Sequence, residues 1–157
     1  MGPDDRALLK SLLADERLLA LGLVTEGEPV AGLLPFAVAD DFSAVYVQAS
    51  QLARHTRGMS PGARFSAVVH RPDTPDADPL QIPRVVLEGV VDPLDGERPE
   101  RESAVRAFVR RFPSAAMTLA LPGFSLYRLE IESGRVVAGF GSAQSLSSVD
   151  FRDLAGE

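Results

Sequence analysis

Apolar and polar positions recur along this chain with two different periods. Between Pro3 and Ala14, Leu8, Leu9, Leu12 and Leu13 fall at helical spacing behind Pro3, Asp4 and Asp5, residues suited to a first turn. Leu18 to Thr25 is almost unbroken in its apolar character, Glu26-Gly27-Glu28-Pro29 supplies turn chemistry, and Val30 to Ala39 is apolar again, which predicts a hairpin. Pro35 lies inside the second run and has no N–H to give to a ladder, so it marks a bulge, an edge or a place where the sheet opens. Asp40-Asp41-Phe42-Ser43 then turns the chain into a third strand, Ala44 to Ala49, completing a meander.

From Ser50 to Met59 the pattern changes to a short helix, with Ser50 as its N-cap and Ser60-Pro61-Gly62 as its stop. Ala63 to His70 alternates strictly, Ala63, Phe65, Ala67 and Val69 against Arg64, Ser66 and His70, as a strand with unlike faces does. Four prolines among aspartates make Arg71 to Pro83 a surface loop, and Arg84 to Asp92 is a fifth strand. Pro99 to Phe112 is a helix presenting Val105, Phe108, Val109 and Phe112 on one side, and Phe124 to Glu132 with Arg135 to Phe140 forms a closing hairpin around Ser133-Gly134. Six or seven strands joined mostly by hairpins, with two or three helices, predict a mainly β (α+β) chain: a six-stranded antiparallel barrel with flanking helices, one domain spanning 1–157.

Composition removes several chemistries from consideration. The absence of cysteine excludes a disulfide framework, a thiolate nucleophile, an iron–sulfur cluster and a cysteine zinc site. A net charge of −6 opposes a sequence-independent grip on nucleic acid. Apolar runs such as Leu18 to Val24 are too short to cross a membrane as helices, and no signal-peptide pattern opens the chain, so the expected setting is soluble and cytoplasmic. Asp40, Asp41, Asp73, Asp76 and Asp78 are explained by turns and loop solubility, and no metal site is expected. Glu88, inside an apolar strand, reads as an outward position on an alternating strand or as one half of an ion pair.

The stretch richest in chemistry is Gln48-Ala49-Ser50-Gln51-Leu52-Ala53-Arg54-His55-Thr56-Arg57. A strand ending in small residues and leading into a helix start suits an anion, because unpaired N–H groups point outward there. Ser50 and Thr56 can donate hydroxyls, Arg54 a bidentate fork and His55 a further N–H to a phosphate. The same residues also describe an ordinary capped surface helix.

These residues, with Ala31-Gly32-Leu33-Leu34-Pro35-Phe36, Asp78-Pro79-Leu80, Pro83 to Gly89 and Gly139-Phe140-Gly141-Ser142-Ala143, resemble in order and spacing the pyridoxamine 5′-phosphate oxidase-like FMN-binding split-barrel superfamily. The last piece is similar to the closing motif of its haem-utilisation branch. The resemblance implies a six-stranded split barrel, a homodimer, and FMN held by Ser50, Arg54, His55 and Thr56 at its phosphate, by the backbone from Leu33 through Leu34 and Pro35 to Phe36 at its ring, and by Arg84 at its ring or ribityl chain. Strand opening at Pro35 agrees, since a planar flavin needs free N–H and C=O groups along a flat wall. Three activities stay open. They are an FMN-dependent oxidoreductase acting on a small molecule, a haem-binding or haem-degrading protein, and a non-catalytic dimeric binding module; F420 is a further alternative to FMN. Where the haem branch uses histidine as a ligand, this chain offers only His55 and His70.

Overall fold

The computed structural model describes residues 1–156. Along the chain come α1 (Pro3–Asp15), β1 (Leu18–Thr25), β2 (Glu28–Val38), β3 (Ala44–Ser50), β4 (Arg64–His70) and β5 (Arg84–Pro93). They are followed by α2 (Arg101–Arg111), α3 (Ala115–Leu119), β6 (Phe124–Gly139), β7 (Ser142–Ser147) and α4 (Ser148–Arg152). Short 3₁₀ segments lie at Arg54–Gly58, Pro79–Gln81 and Asp153–Gly156. Neighbours in the sheet run β3-β2-β1-β4-β5-β6-β7, all antiparallel, and a further β3–β6 pairing closes the first six strands into a barrel.

Two strands make the closure because each changes partner along its length. Residues 28–35 of β2 pair with β1, whereas Phe36–Val38 pair with β3. Pro35 is the last residue paired to β1, opposite Leu18, so the residue without an N–H sits where the strand passes from one partner to the next. β6 is 16 residues long; Phe124–Glu130 pair with β3, Tyr127–Val137 with β5 and Ser133–Gly139 with β7.

The hairpin expected around Ser133-Gly134 is therefore a single continuous strand, and the turn falls later, at Phe140-Gly141, where Gly141 has φ of 78°. Gly134 serves close packing instead. A Cβ there would stand 2.5 Å from the Val86 carbonyl oxygen and 2.8 Å from the Phe151 ring. The helix expected from Ser50 to Met59 also contracts. Ser50 pairs with Phe124 as the last residue of β3, and Ala53 precedes a five-residue 3₁₀ segment without any side-chain cap. With Gly58 and Pro61 so close, too few residues follow to repay the cost of nucleating an α-helix. Asp41 turns β2 into β3 by accepting the Ser43 N–H at 3.0 Å and its hydroxyl at 2.6 Å.

Period-two alternation sorts side chains between two apolar layers. Inside the barrel, Leu19, Leu21, Phe36, Val45, Val47, Val69, Val85, Leu87 and Leu129 are essentially without solvent contact, and Leu9, Leu12 and Leu13 of α1 join them. The opposite face of β3, Ala44 and Tyr46, packs with Leu126 against Ala104 and Phe108 of α2 and Ala115 of α3. Arg111 at the end of α2 locks this layer to the barrel. Its guanidinium lies 5.2 Å from the Phe36 ring and donates to the carbonyls of Ala14, at 2.7 Å, and Glu16. Glu88 projects outward and is exposed, accepting the Ser133 hydroxyl at 3.3 Å.

Candidate functional site on the outer barrel face

Outward-facing positions of a half-covered antiparallel sheet are ordinarily polar. On β1 and β2 they are mostly apolar, and Val68 of β4 and Val86 of β5 continue that character between the polar Ser66–Glu88 and His70–Arg84 pairs. Ladder register sets Leu33 beside Ala20, Ala20 beside Val68 and Val68 beside Val86, a row of four apolar side chains. Leu33 is 67% and Leu18 50% exposed, so half or more of each apolar side chain is left in water by the fold. Beyond this row, His70 pairs with Arg84 and Arg84 with Val137, while Val86 pairs with Arg135. The face therefore carries an apolar strip with one imidazole and two guanidiniums along its margin.

A cavity of about 390 Å³ opens over this strip, lined by Leu18, Ala20, Leu33, Val68, His70 and Pro72 together with Asp15 to Arg17. Its acidic rim is partly neutralised by Arg71, 2.7 Å from Glu16 and 3.8 Å from Asp15. A second cavity, about 340 Å³, is bounded by Arg84, Arg135, Leu80, Val137 and Phe140. A larger groove of about 790 Å³ runs along α2 and α3, where Val105, Val109 and Leu119 are accompanied only by Arg106, Arg110, Asp40 and Ala116. It offers no imidazole, and its one carboxylate, Asp40, is exposed and 3.9 Å from Arg110, so the cavities over the strip hold more chemistry.

His70 is exposed, and its Nδ1 lies 2.7 Å from the Arg71 carbonyl oxygen. A carbonyl only accepts, so Nδ1 is a protonated nitrogen, and in the neutral ring Nε2 is the one that presents a lone pair. Arg84 is half-buried and donates to the carbonyls of Ile82 at 2.9 Å and Leu80 at 3.2 Å, bonds that order its guanidinium at the mouth of the loop.

The segment read as a phosphate socket has a different arrangement. The Thr56 hydroxyl is buried and donates to the Ser50 carbonyl at 2.6 Å, while Ser50 Oγ accepts the Leu52 N–H at 3.2 Å. His55 turns to the inward side of β2, where Gly32 leaves it room: a Cβ on Gly32 would lie 2.6 Å from His55 Nδ1. His55 Nε2 is buried without a hydrogen-bond partner, and burial lowers the imidazole pKa below its usual 6.5, favouring the neutral ring. Arg54 alone of the four stays exposed. Along β2, Leu33 and Pro35 face outward, whereas Leu34 and Phe36 are buried in the barrel. The structure thus brings Leu33 and Arg84 to one face and separates them from the inward His55 ring. The residues that sequence reasoning passed over, Leu18, Val68 and Arg135, become visible only once the ladder register shows which outward positions are neighbours.

Comparison with known proteins bears on this arrangement. No family model matches the chain. Heme oxygenase HutZ of Vibrio cholerae is 24% identical over 148 residues, 93% of this chain and 83% of the relative. A heme binding protein of Mycobacterium smegmatis superposes with a TM-score of 0.83 at 24% identity; 98% of this chain matches, spanning 62% of the mycobacterial chain. The FAD and heme binding protein of the same organism matches with a TM-score of 0.62 at 18% identity, over 90% of this chain and 81% of that one. The chain shares the split-barrel fold of these proteins. In this split barrel, the β3–β6 closure and the partner change at Pro35 leave the β2-β1-β4-β5 face free of helices, and the apolar strip lies on that face. Among the described residues, no group of three or more His, Asp or Glu could hold a metal ion, and no helix is long and apolar enough to cross a membrane.

Proposed function

We propose that this chain binds haem, with the macrocycle lying on the outer face of β1, β2, β4 and β5. The observation that carries this reading is the apolar strip of Leu33, Ala20, Val68 and Val86, bordered by His70, Arg84 and Arg135. Haem is a flat apolar plate with two carboxylates on one edge, so it needs a flat apolar wall and cations at the margin. Small and β-branched side chains supply the wall here, and two guanidiniums supply the margin. Haem-related relatives favour this ligand over FMN. When bound, haem supplies iron for axial ligation and redox chemistry; the protein orients it and shields one side from water.

A flavin is the second reading, supported by the neighbour that binds FAD as well as haem. Its planar ring suits the same wall, but the Thr56 hydroxyl is already donated to a carbonyl and His55 faces inward, which leaves Ser50, Arg54 and Arg84 to meet a phosphate. In either case a homodimer, implied by the family resemblance, would cover the rest of the face, where Val24 is 62% exposed. The test is a spectroscopic titration of the purified protein with haemin and, separately, FMN. Haemin should give a sharp, saturable Soret band, weakened by Val68→Glu, which places a charge in the strip. Saturable FMN binding with no response to haemin would exchange the two readings, and no response to either would remove both.

A further inference from the structure

Resting on the haem reading, we propose that His70 is the axial ligand, its Nε2 bonding the iron while Arg84 and Arg135 meet the propionate edge. The chain has no cysteine, and its two tyrosines are excluded by burial, Tyr46 being 6% and Tyr127 5% exposed. Of the three methionines, Met1 packs against the barrel core and Met59 is sealed in it, while Met117, though exposed, stands on α3, which packs on the β3 face and not on the strip. Of the two histidines, His55 has its ring against Gly32 and its Nε2 buried. His70 is the residue with an exposed imidazole, and it lines the cavity over the strip.

Its geometry suits ligation in a second respect. A metal-bound histidine ordinarily gives its other ring N–H to a carbonyl or carboxylate, which fixes the tautomer and raises the basicity of the bonding nitrogen. Nδ1 of His70 makes that bond to the Arg71 carbonyl at 2.7 Å. Arg71 is itself anchored, donating to Glu16 at 2.7 Å and to the Ser11 hydroxyl at 2.6 Å, so the carbonyl that orients the imidazole belongs to a held residue. Arg84 is the cross-strand partner of His70, and Arg135 is the partner of Val86 one outward position further along β5, which puts both guanidiniums to the same side of the imidazole. A plate coordinated at His70 and lying on Val68 and Leu33 would therefore turn its charged edge toward β5 and β6.

The test uses the full chain loaded with haemin and three variants, His70→Gly, His55→Gln and Arg84→Ala, each first checked for its native circular dichroism. His70→Gly should lose the sharp Soret band and the iron–histidine stretch of the ferrous form. Haemin affinity should fall about tenfold or more, at least what loss of a supporting partner of a metal ligand costs. Added imidazole should restore the band in that variant. His55→Gln should keep the wild-type spectrum, and Arg84→Ala should weaken binding without shifting the band. A His70→Gly protein with the wild-type spectrum and affinity would overturn the ligand assignment and leave the haem reading standing. A wild-type protein that ignores haemin would overturn both.

Discussion

Replacing Gly32 by alanine tests whether His55 is a packing residue of the barrel or a free ligand donor. On an ordinary strand this substitution stabilises, by about 0.4–1 kcal/mol, because the unfolded chain loses freedom. Here the added methyl would stand 2.6 Å from His55 Nδ1 and 2.9 Å from two ring carbons, so the ring or the strand must move. The backbone that carries the ring is held on its far side, since Thr56 is bonded to the Ser50 carbonyl and Gly58 packs against Leu23 and the Val24 carbonyl. Overpacking of this kind costs about 1–3 kcal/mol. For a chain of this size each kcal/mol lowers Tm by about 2–4 °C, so Gly32→Ala should melt about 2–12 °C below the wild type. In a His55→Ala background the clash disappears, and adding Gly32→Ala should then be neutral or stabilising. The coupling between the two sites, read from thermal and urea unfolding of the four proteins, should fall within the 0.5–3 kcal/mol seen for residues in contact. Additive effects, or a Gly32→Ala protein as stable as the wild type, would refute the inward placement of His55.

Gly89 should be still less replaceable. It sits at the β5 bulge, where a Cβ would fall 1.8 Å from the Glu130 carbonyl oxygen, and Gly89→Ala should cost about 3 kcal/mol or more in urea unfolding. Arg111→Ala removes a guanidinium that lies over Phe36 and bonds two carbonyls; a loss of about 2 kcal/mol is expected, with Arg111→Lys recovering only part of it. Ser147→Ala breaks the reciprocal cap in which Ser147 and Asp150 exchange hydrogen bonds, costing about 1 kcal/mol by thermal melting. Burial lowers the His55 pKa in the folded chain, so protons bind the unfolded chain more readily. Its contribution to stability should be complete above about pH 6.5 and be lost as pH falls toward the lower folded value, and the fall should be absent in His55→Gln when urea midpoints are compared across that window.

The strands were legible because their alternation is local. Leu18–Thr25, expected from composition alone, is β1 to the residue, and Arg64–His70 shows the unlike faces its sequence predicts. The errors share one cause, which is that a residue type can serve two physical ends. Gly134 and Ser133 have turn chemistry, yet the glycine is needed for the approach of Phe151 and the Val86 carbonyl, something only tertiary structure reveals. Ser50 has capping chemistry, yet its backbone is taken by the β3–β6 ladder, and a short segment cannot compete with that closure. At the site, Leu33 and Arg84 could be marked from the sequence, but not their shared face, because register across four strands is long-range information.

The position of the site follows from the size of the barrel. Six strands enclose too little space for a ligand once side chains fill it, and here Leu19, Leu21, Phe36, Val47, Leu87 and Leu129 leave no interior room. Binding must then occur on the outside or at an end. α1 contributes Leu9, Leu12 and Leu13 to the barrel core, and α2 with α3 covers the outer face of β3. The β2-β1-β4-β5 face has no such helix, and its outward positions in the strip are apolar. Leu18 and Leu33 leave half or more of their surface in water in the same cavity lining as His70, the condition under which a ligand or partner gains by covering them. If that cover is haem together with a second copy of the chain, the substitution Leu33→Glu should lower haemin affinity and shift light-scattering mass toward the monomer, while the Tm measured without haemin at a concentration where both proteins are monomeric stays nearly unchanged. A large loss of Tm would instead make Leu33 part of the monomer's own core, contrary to its exposure.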